Sequence, residues 1–194
     1  MLDGLGIEDA HVVGLSYSGA IALQLASTAP HRVRTLTLIE PPPVHVPSAA
    51  AFRVANTSLL EIRRAAGAGA ALDQFMRMVV GPDWRVDMER ALPGSVAQMD
   101  SDAATFFDAD LPALLEWQFT SADAARIDAP VLYVGGTESG PWFAEVRKLM
   151  LRWLPWAEQA MIAGADHSLA ISHAAGIAQA LAGFLQHRST LERN

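Results

Sequence analysis

Residues 11–29 read HVVGLSYSGAIALQLASTA, and their order decides the fold. His11-Val12-Val13 is a short β-branched run suited to a buried parallel strand. Ala20 to Ala26 has high helical propensity and almost no polar surface, as expected of a helix packed on a sheet. Between them lies the turn Gly14-Leu15-Ser16-Tyr17-Ser18-Gly19. A serine is thrust out of a strand-to-helix corner only where its backbone is strained and the residues two positions either side are small. Gly14 and Ser18 meet that need, and Gly19 gives further clearance. The pattern is a nucleophile elbow in which serine replaces the second glycine.

Similar signals recur along the chain. Val33–Ile39, Val131–Gly135 and Ala157–Ile162 read as further strands, with Ile127-Asp128-Ala129-Pro130 leading into the second of these. Trp142 to Leu154 is helical and stops at Pro155, and a last helix over about residues 174–187 sets Ile177, Leu181, Phe184 and Leu185 on one face. Strands alternating with helices imply a parallel sheet with helical crossovers. Residues 1–40 and 128–194 therefore form one α/β core. The middle, 41–127, opens with Pro41-Pro42-Pro43 and holds no convincing strand. Leu59–Arg64, Ala70–Val80, Asp87–Leu92, Val96–Phe107 and Leu111–Phe119 read as short helices punctuated by Pro82, Pro93 and Pro112. It reads as an inserted helical cap.

Composition narrows the function. The 194 residues carry a net charge of −7, with 14 Lys and Arg and no basic stripe, which disfavours nucleic-acid binding. The absence of cysteine excludes disulfides and thiol catalysis. No Asp, Glu, Lys or Arg occurs between Asp9 and Arg32, but Gly14, Ser16, Ser18 and Gly19 interrupt the run and an elbow explains its apolarity better than a membrane span. The first residues lack the features of a secretory signal, so a soluble, cytoplasmic protein is expected. The histidines show no helical zinc spacing, and Gly67-Ala68-Gly69 lacks the lysine and context of a phosphate loop. Neither a metal nor a cofactor is expected.

These motifs, in this order, resemble the α/β-hydrolase family through most of the chain. Residues 11–29 are similar to its fifth strand, elbow and following helix, and the three later strands to its sixth, seventh and eighth. Gly164-Ala165-Asp166-His167 resembles the loop that delivers the catalytic histidine. The resemblance implies a partial α/β-hydrolase fold that lacks the early strands and the loop donating one oxyanion-hole N–H. It suggests a shortened form of a larger hydrolase. One sheet flank, on the strand before Ser16, would then expose unpaired backbone and offer a route to self-association.

The chemistry expected is that of a serine hydrolase. Ser16 is the nucleophile and His167 the base, while a carboxylate orients the imidazole and Tyr17 offers a backbone N–H to the oxyanion. His11, His31, His173 and His187 read as surface or packing residues, and His45 as a residue able to line the cleft. The acid stays open between two glutamates. After the seventh-strand equivalent, Ser139 stands where the family places aspartate, and Glu138 is its neighbour. Glu40 follows the sixth-strand equivalent, resembles the arrangement of some haloalkane dehalogenases, and is preferred; Asp166 is too close in sequence to face His167. Aromatic and methionine residues of the cap, among them Phe75, Met76, Trp84 and Trp117, suit a small apolar substrate: an ester, thioester, lactone or carbon–carbon bond beside a carbonyl. Aspartate-nucleophile chemistry is disfavoured by Ser16. The alternative is a vestigial hydrolase that binds a small ligand without turnover.

Overall fold

The computed structural model describes residues 2–191, with side chains described through His187. The chain divides into two compact units, Met1–Val46 with Gln118–Asn194, and Pro47–Trp117.

The first unit is built on β1 (Ala10–Leu15), β2 (Val33–Ile39), β3 (Val131–Gly136) and β4 (Glu158–Ile162). All pair in parallel, in the order β1-β2-β3-β4. The register sets Leu15, Ile39, Val134 and Ala160 in one row across the sheet, and Gly14, Leu38, Tyr133 and Gln159 in the next. Side chains alternate between faces along a strand, so the two rows point to opposite sides.

The Leu15 row packs with Leu169, Ile177 and Phe184. These lie on α9 (Leu169–Ser172) and α10 (Ala174–Leu191), the latter extending past the expected end near residue 187. The Gly14 row meets α1 (Tyr17–Thr28) and α8 (Gly140–Trp153). A Cβ on Gly14 would come within 2.8 Å of Ala22 Cβ, and Arg147 of α8 donates to Gln159. Val131 to Val134 and Leu36 to Ile39 are buried on both faces, which is why the first reads as an unbroken apolar run and the second is broken only by the buried Thr37. The edge strands are wetter: Val13 on β1 is 46% exposed. Among the described residues β1 pairs with β2 alone.

The second unit is helical: α2 (Ala49–Ala66), α3 (Ala68–Val79), α4 (Trp84–Ala91), α5 (Ser95–Thr105) and α6 (Leu111–Glu116). It is narrower than the expected 41–127 insertion. Residues 41–46 and 118–127 belong to the sheet-bearing unit, where the Trp153 ring gathers His45 and Phe119 at centroid distances of 6.3 and 5.8 Å. The short helix α7 (Ser121–Ala124) in that stretch is closed by a capping box between Thr120 and Asp123. The helices of this unit also differ from the sequence reading in their bounds. The first starts ten residues before Leu59, at the strong helix formers Ala49-Ala50-Ala51, and ends at Gly67 with φ 93°. The last stops at Glu116, short of Phe119. Before it the chain widens into a π-helical turn, Phe106–Asp110. Pro112 follows, whose ring would strike the carbonyl four residues back in a regular helix. Trp84 and Phe107 fill the core of this unit, and Trp84 Nε1 donates to Asp73 at 3.0 Å.

Glycine at 136 is a hard requirement of the first unit. An added Cβ would lie 2.1 Å from the Ala165 carbonyl oxygen, which is backbone and cannot swing away. Gly183 on α10 has nothing within 4 Å of the same position. Gly136→Ala should therefore lower stability in urea unfolding by about 1–3 kcal/mol, whereas Gly183→Ala should raise it by about 0.5–1 kcal/mol.

Candidate active site

In open parallel sheets, ligands meet the loops at the carboxyl ends of the strands. That end carries Ser16 one residue after β1, Glu40 one residue after β2, and His167 five residues after β4.

Ser16 stands at φ 49° and ψ −120°, between the last residue of β1 and Tyr17, which opens α1. A side-chain-bearing residue held there is strained, and the surroundings must enforce it. They do so through hydrogen bonds. Ser16 N–H donates to the Ile39 carbonyl at 2.9 Å, and Gly19 N–H donates to the Ser16 carbonyl at 2.8 Å. The Ser18 hydroxyl both accepts from Leu15 N–H and donates to the Leu15 carbonyl, each at 2.8 Å. The serine standing in place of a glycine thus staples the corner. Gly19 is needed for approach, since a Cβ there would meet Pro41 Cβ at 2.8 Å.

Among the described residues, Glu40 is the other non-glycine position with positive φ, at 43°. Its N–H donates to the Val134 carbonyl at 3.1 Å, which carries the backbone toward β3. The carboxylate is 1% exposed. A charge so buried needs partners on both oxygens. Oε1 accepts from Gly136 N–H at 2.8 Å, and Oε2 lies 2.7 Å from His167 Nδ1. His167 Nε2 in turn lies 3.0 Å from Ser16 Oγ. A carboxylate only accepts, so Nδ1 carries the proton, and Nε2 of the neutral ring is left to accept from the serine hydroxyl. The structure thus brings Ser16, His167 and Glu40 into one hydrogen-bonded line. Nearby, burial first and the Glu40 charge second push the Tyr133 phenol well above its ordinary pKa, so it stays neutral.

Glu138 goes elsewhere. Its side chain is exposed and accepts from Thr137 Oγ1 at 3.3 Å. Its contribution is through the backbone: Glu138 N–H donates to the Ala165 carbonyl at 2.8 Å. Together with Thr137 N–H on the Ile162 carbonyl and Gly164 N–H on Thr137 Oγ1, this fastens the loop bearing His167 to the end of β3. Asp166 caps the following turn, accepting from Ser168 N–H at 2.8 Å and Ser168 Oγ at 2.5 Å. The Ser168 hydroxyl bond is the main reason its carboxyl lies below the usual range.

The other histidines lie apart from this line. His11 pairs with Thr35 at 2.9 Å, His173 with Ser172 at 2.9 Å, His45 stands beside Trp153, and His31 and His187 are exposed. Three participants escaped the sequence reading: Gly136 as donor to Glu40, Tyr133 beneath the carboxylate, and Phe143, whose ring stacks on His167. The Gly135-Gly136 pair at a strand end was the one available signal for the first. Among the described residues, no three His, Asp or Glu side chains gather where a metal ion could be held. No helix there is long and apolar enough to cross a membrane.

Comparison with known proteins agrees with this architecture. The chain is 51% identical over 39 residues, 20% of its length, to a putative carbamate hydrolase RutD of Azorhizobium caulinodans, a stretch equal to 15% of that protein. It is 26% identical over 196 residues to a 2-hydroxymuconate semialdehyde hydrolase of Pseudomonas putida, covering 98% of the chain and 67% of the relative. The enol-lactonase of Burkholderia xenovorans superposes with a TM-score of 0.72 at 22% identity, over 95% of this chain and 68% of that one. The chain thus spans about two thirds of the length of these last two proteins. The model of the alpha/beta hydrolase fold family matches residues 1–174, and the protein belongs to that family.

Proposed function

We propose that this protein is a cofactor-independent serine hydrolase in which Ser16 is the nucleophile, His167 the general base and acid, and Glu40 the orienting carboxylate. The observation that carries the reading is the continuous chain from Ser16 Oγ through both ring nitrogens of His167 to the buried Glu40.

The chemistry follows from that order. A serine hydroxyl is too weak an acid to supply alkoxide at neutral pH. As Ser16 Oγ attacks a substrate carbonyl, its proton passes to His167 Nε2, and the imidazolium formed is stabilised by Glu40, which stays ionised. Negative charge collects on the former carbonyl oxygen. Tyr17 N–H, at the positive end of α1, is the donor proposed to receive it. Collapse of this intermediate breaks the bond to the leaving group, which takes the Nε2 proton, and leaves an acyl group on Ser16. Water then repeats the sequence: His167 takes its proton, the hydroxide adds to the acyl carbon, and Ser16 leaves reprotonated.

The substrate class proposed is a small apolar ester, thioester, lactone or carbon–carbon bond beside a carbonyl. The similarity to the Pseudomonas hydrolase over nearly the whole chain supports hydrolysis in general without choosing among these bonds.

A fluorophosphonate probe tests the nucleophile. Mass spectrometry should find the adduct on Ser16; Ser16→Ala should abolish it, and His167→Ala should slow it by at least about 100-fold. A folded protein that takes no label would instead support the ligand-binding, non-hydrolytic alternative.

Esterase assays test the acid. Glu40→Gln puts an amide against Nδ1 and favours the tautomer whose Nε2 already holds a proton. It should cost about 10²–10⁴-fold in kcat. Glu138→Gln should leave kcat unchanged, because that side chain faces solvent. Equal losses in the two variants would remove Glu40 from the mechanism.

A further inference from the structure

We propose that Phe143 is a positioning residue for the catalytic imidazole, holding the plane of His167 while Ser16 and Glu40 hold its edge; the inference rests on the serine-hydrolase reading above. Phe143 lies in the first turns of α8. Its ring stacks on that of His167 with centroids 4.0 Å apart and planes 17° from parallel.

The two hydrogen bonds of His167 are made by Nδ1 and Nε2, whose N–H and lone pair point outward in the plane of the ring. Bonds of that kind resist sliding and in-plane rotation. They resist less well a tilt that lifts one nitrogen above that plane and drops the other below it, a motion that would turn the Nε2 lone pair away from Ser16 Oγ. A flat apolar surface against the ring face opposes that tilt and adds nothing to what the bonds already do. The two restraints act along perpendicular directions, and the ring needs both. His167 sits on a loop and not on a regular element, so the fold itself does not supply the missing one.

A second observation places the same ring at a boundary. A cavity of about 230 Å³ lies between β3, β4 and α8, lined by Glu40, Tyr133, Thr137, Phe143, Arg147 and Met161 among others. Phe143 is one wall, and its ring also covers the imidazole. Truncating it would give His167 a space to tilt into and give water a path to the Glu40–His167 hydrogen bond. That bond is strong because both partners are shielded, with Glu40 1% and the His167 side chain 16% exposed.

The test compares Phe143→Leu, which keeps bulk but loses the flat face, with Phe143→Tyr, which keeps the face. Each variant is first shown to match the parent's urea midpoint within error. Two readouts follow: kcat and KM for p-nitrophenyl butyrate, and the downfield proton resonance of His167 Nδ1–H, assigned by its absence in His167→Ala. Phe143→Leu should lower kcat by about 10- to 100-fold with KM within about twofold, and should broaden the Nδ1–H resonance by exchange with water. Phe143→Tyr should restore both, with kcat within about threefold of the parent. A Leu variant with parental kcat and a parental resonance overturns the proposal, as does a Tyr variant that loses as much as Leu. A parent that shows the resonance, loses it in the Leu variant, yet neither turns over this ester nor takes the fluorophosphonate label supports the clamp while refuting the hydrolase reading.

Discussion

A carboxylate sealed away from water at the end of a strand governs this site. An ionised group in a low-dielectric interior costs several kcal/mol unless each oxygen finds a donor. Glu40 finds one in the backbone of Gly136 and one in the ring of His167. Much of the surrounding structure follows from supplying those two donors. Residue 136 must lack a Cβ, because the Ala165 carbonyl occupies the space where one would lie. The loop carrying His167 must be pinned to the end of β3, which the Thr137, Glu138 and Gly164 hydrogen bonds accomplish. Glu40 itself must adopt a left-handed backbone to point its side chain back across the sheet.

Strain is concentrated at neighbouring positions for a related reason. Ser16 and Glu40 follow Leu15 and Ile39, which are partners in the β1–β2 register, and both have positive φ. Each such residue costs on the order of 1–3 kcal/mol. The Ser16 N–H bond to the Ile39 carbonyl couples the two turns, so one cannot relax without disturbing the other. Catalysis by positioned groups depends on geometry being set before substrate arrives, and two coupled strained turns are a rigid way of setting it.

The strands and the elbow were legible in the sequence because their physics is local. Val131 to Val134 is apolar without alternation because both faces are covered, and Gly14 and Gly19 mark a corner that larger residues would jam. Helix boundaries in the second unit were harder. The Ala49 start of α2 was obscured by the polar residues after it, and the π turn before Pro112 follows from a clash that spacing alone does not display. The acid could be narrowed to Glu40 and Glu138, with Glu40 preferred but the choice left open, since it turns on which way two loops twist. That depends on the Glu138 N–H being committed to Ala165, a contact between segments 27 residues apart. The stack of Phe143 on His167 is equally tertiary. Nothing in the stretch around Gly140-Pro141-Trp142-Phe143 distinguishes a ring that clamps an imidazole from one that fills a core.

The most direct measurement is a crystal structure of the protein after reaction with a fluorophosphonate. The account predicts continuous density from Ser16 Oγ to phosphorus, a phosphoryl oxygen within hydrogen-bond reach of Tyr17 N–H, and His167 still bridging toward Glu40. Unmodified serine in a well-ordered structure, or an imidazole turned away from Glu40 toward solvent, would contradict it.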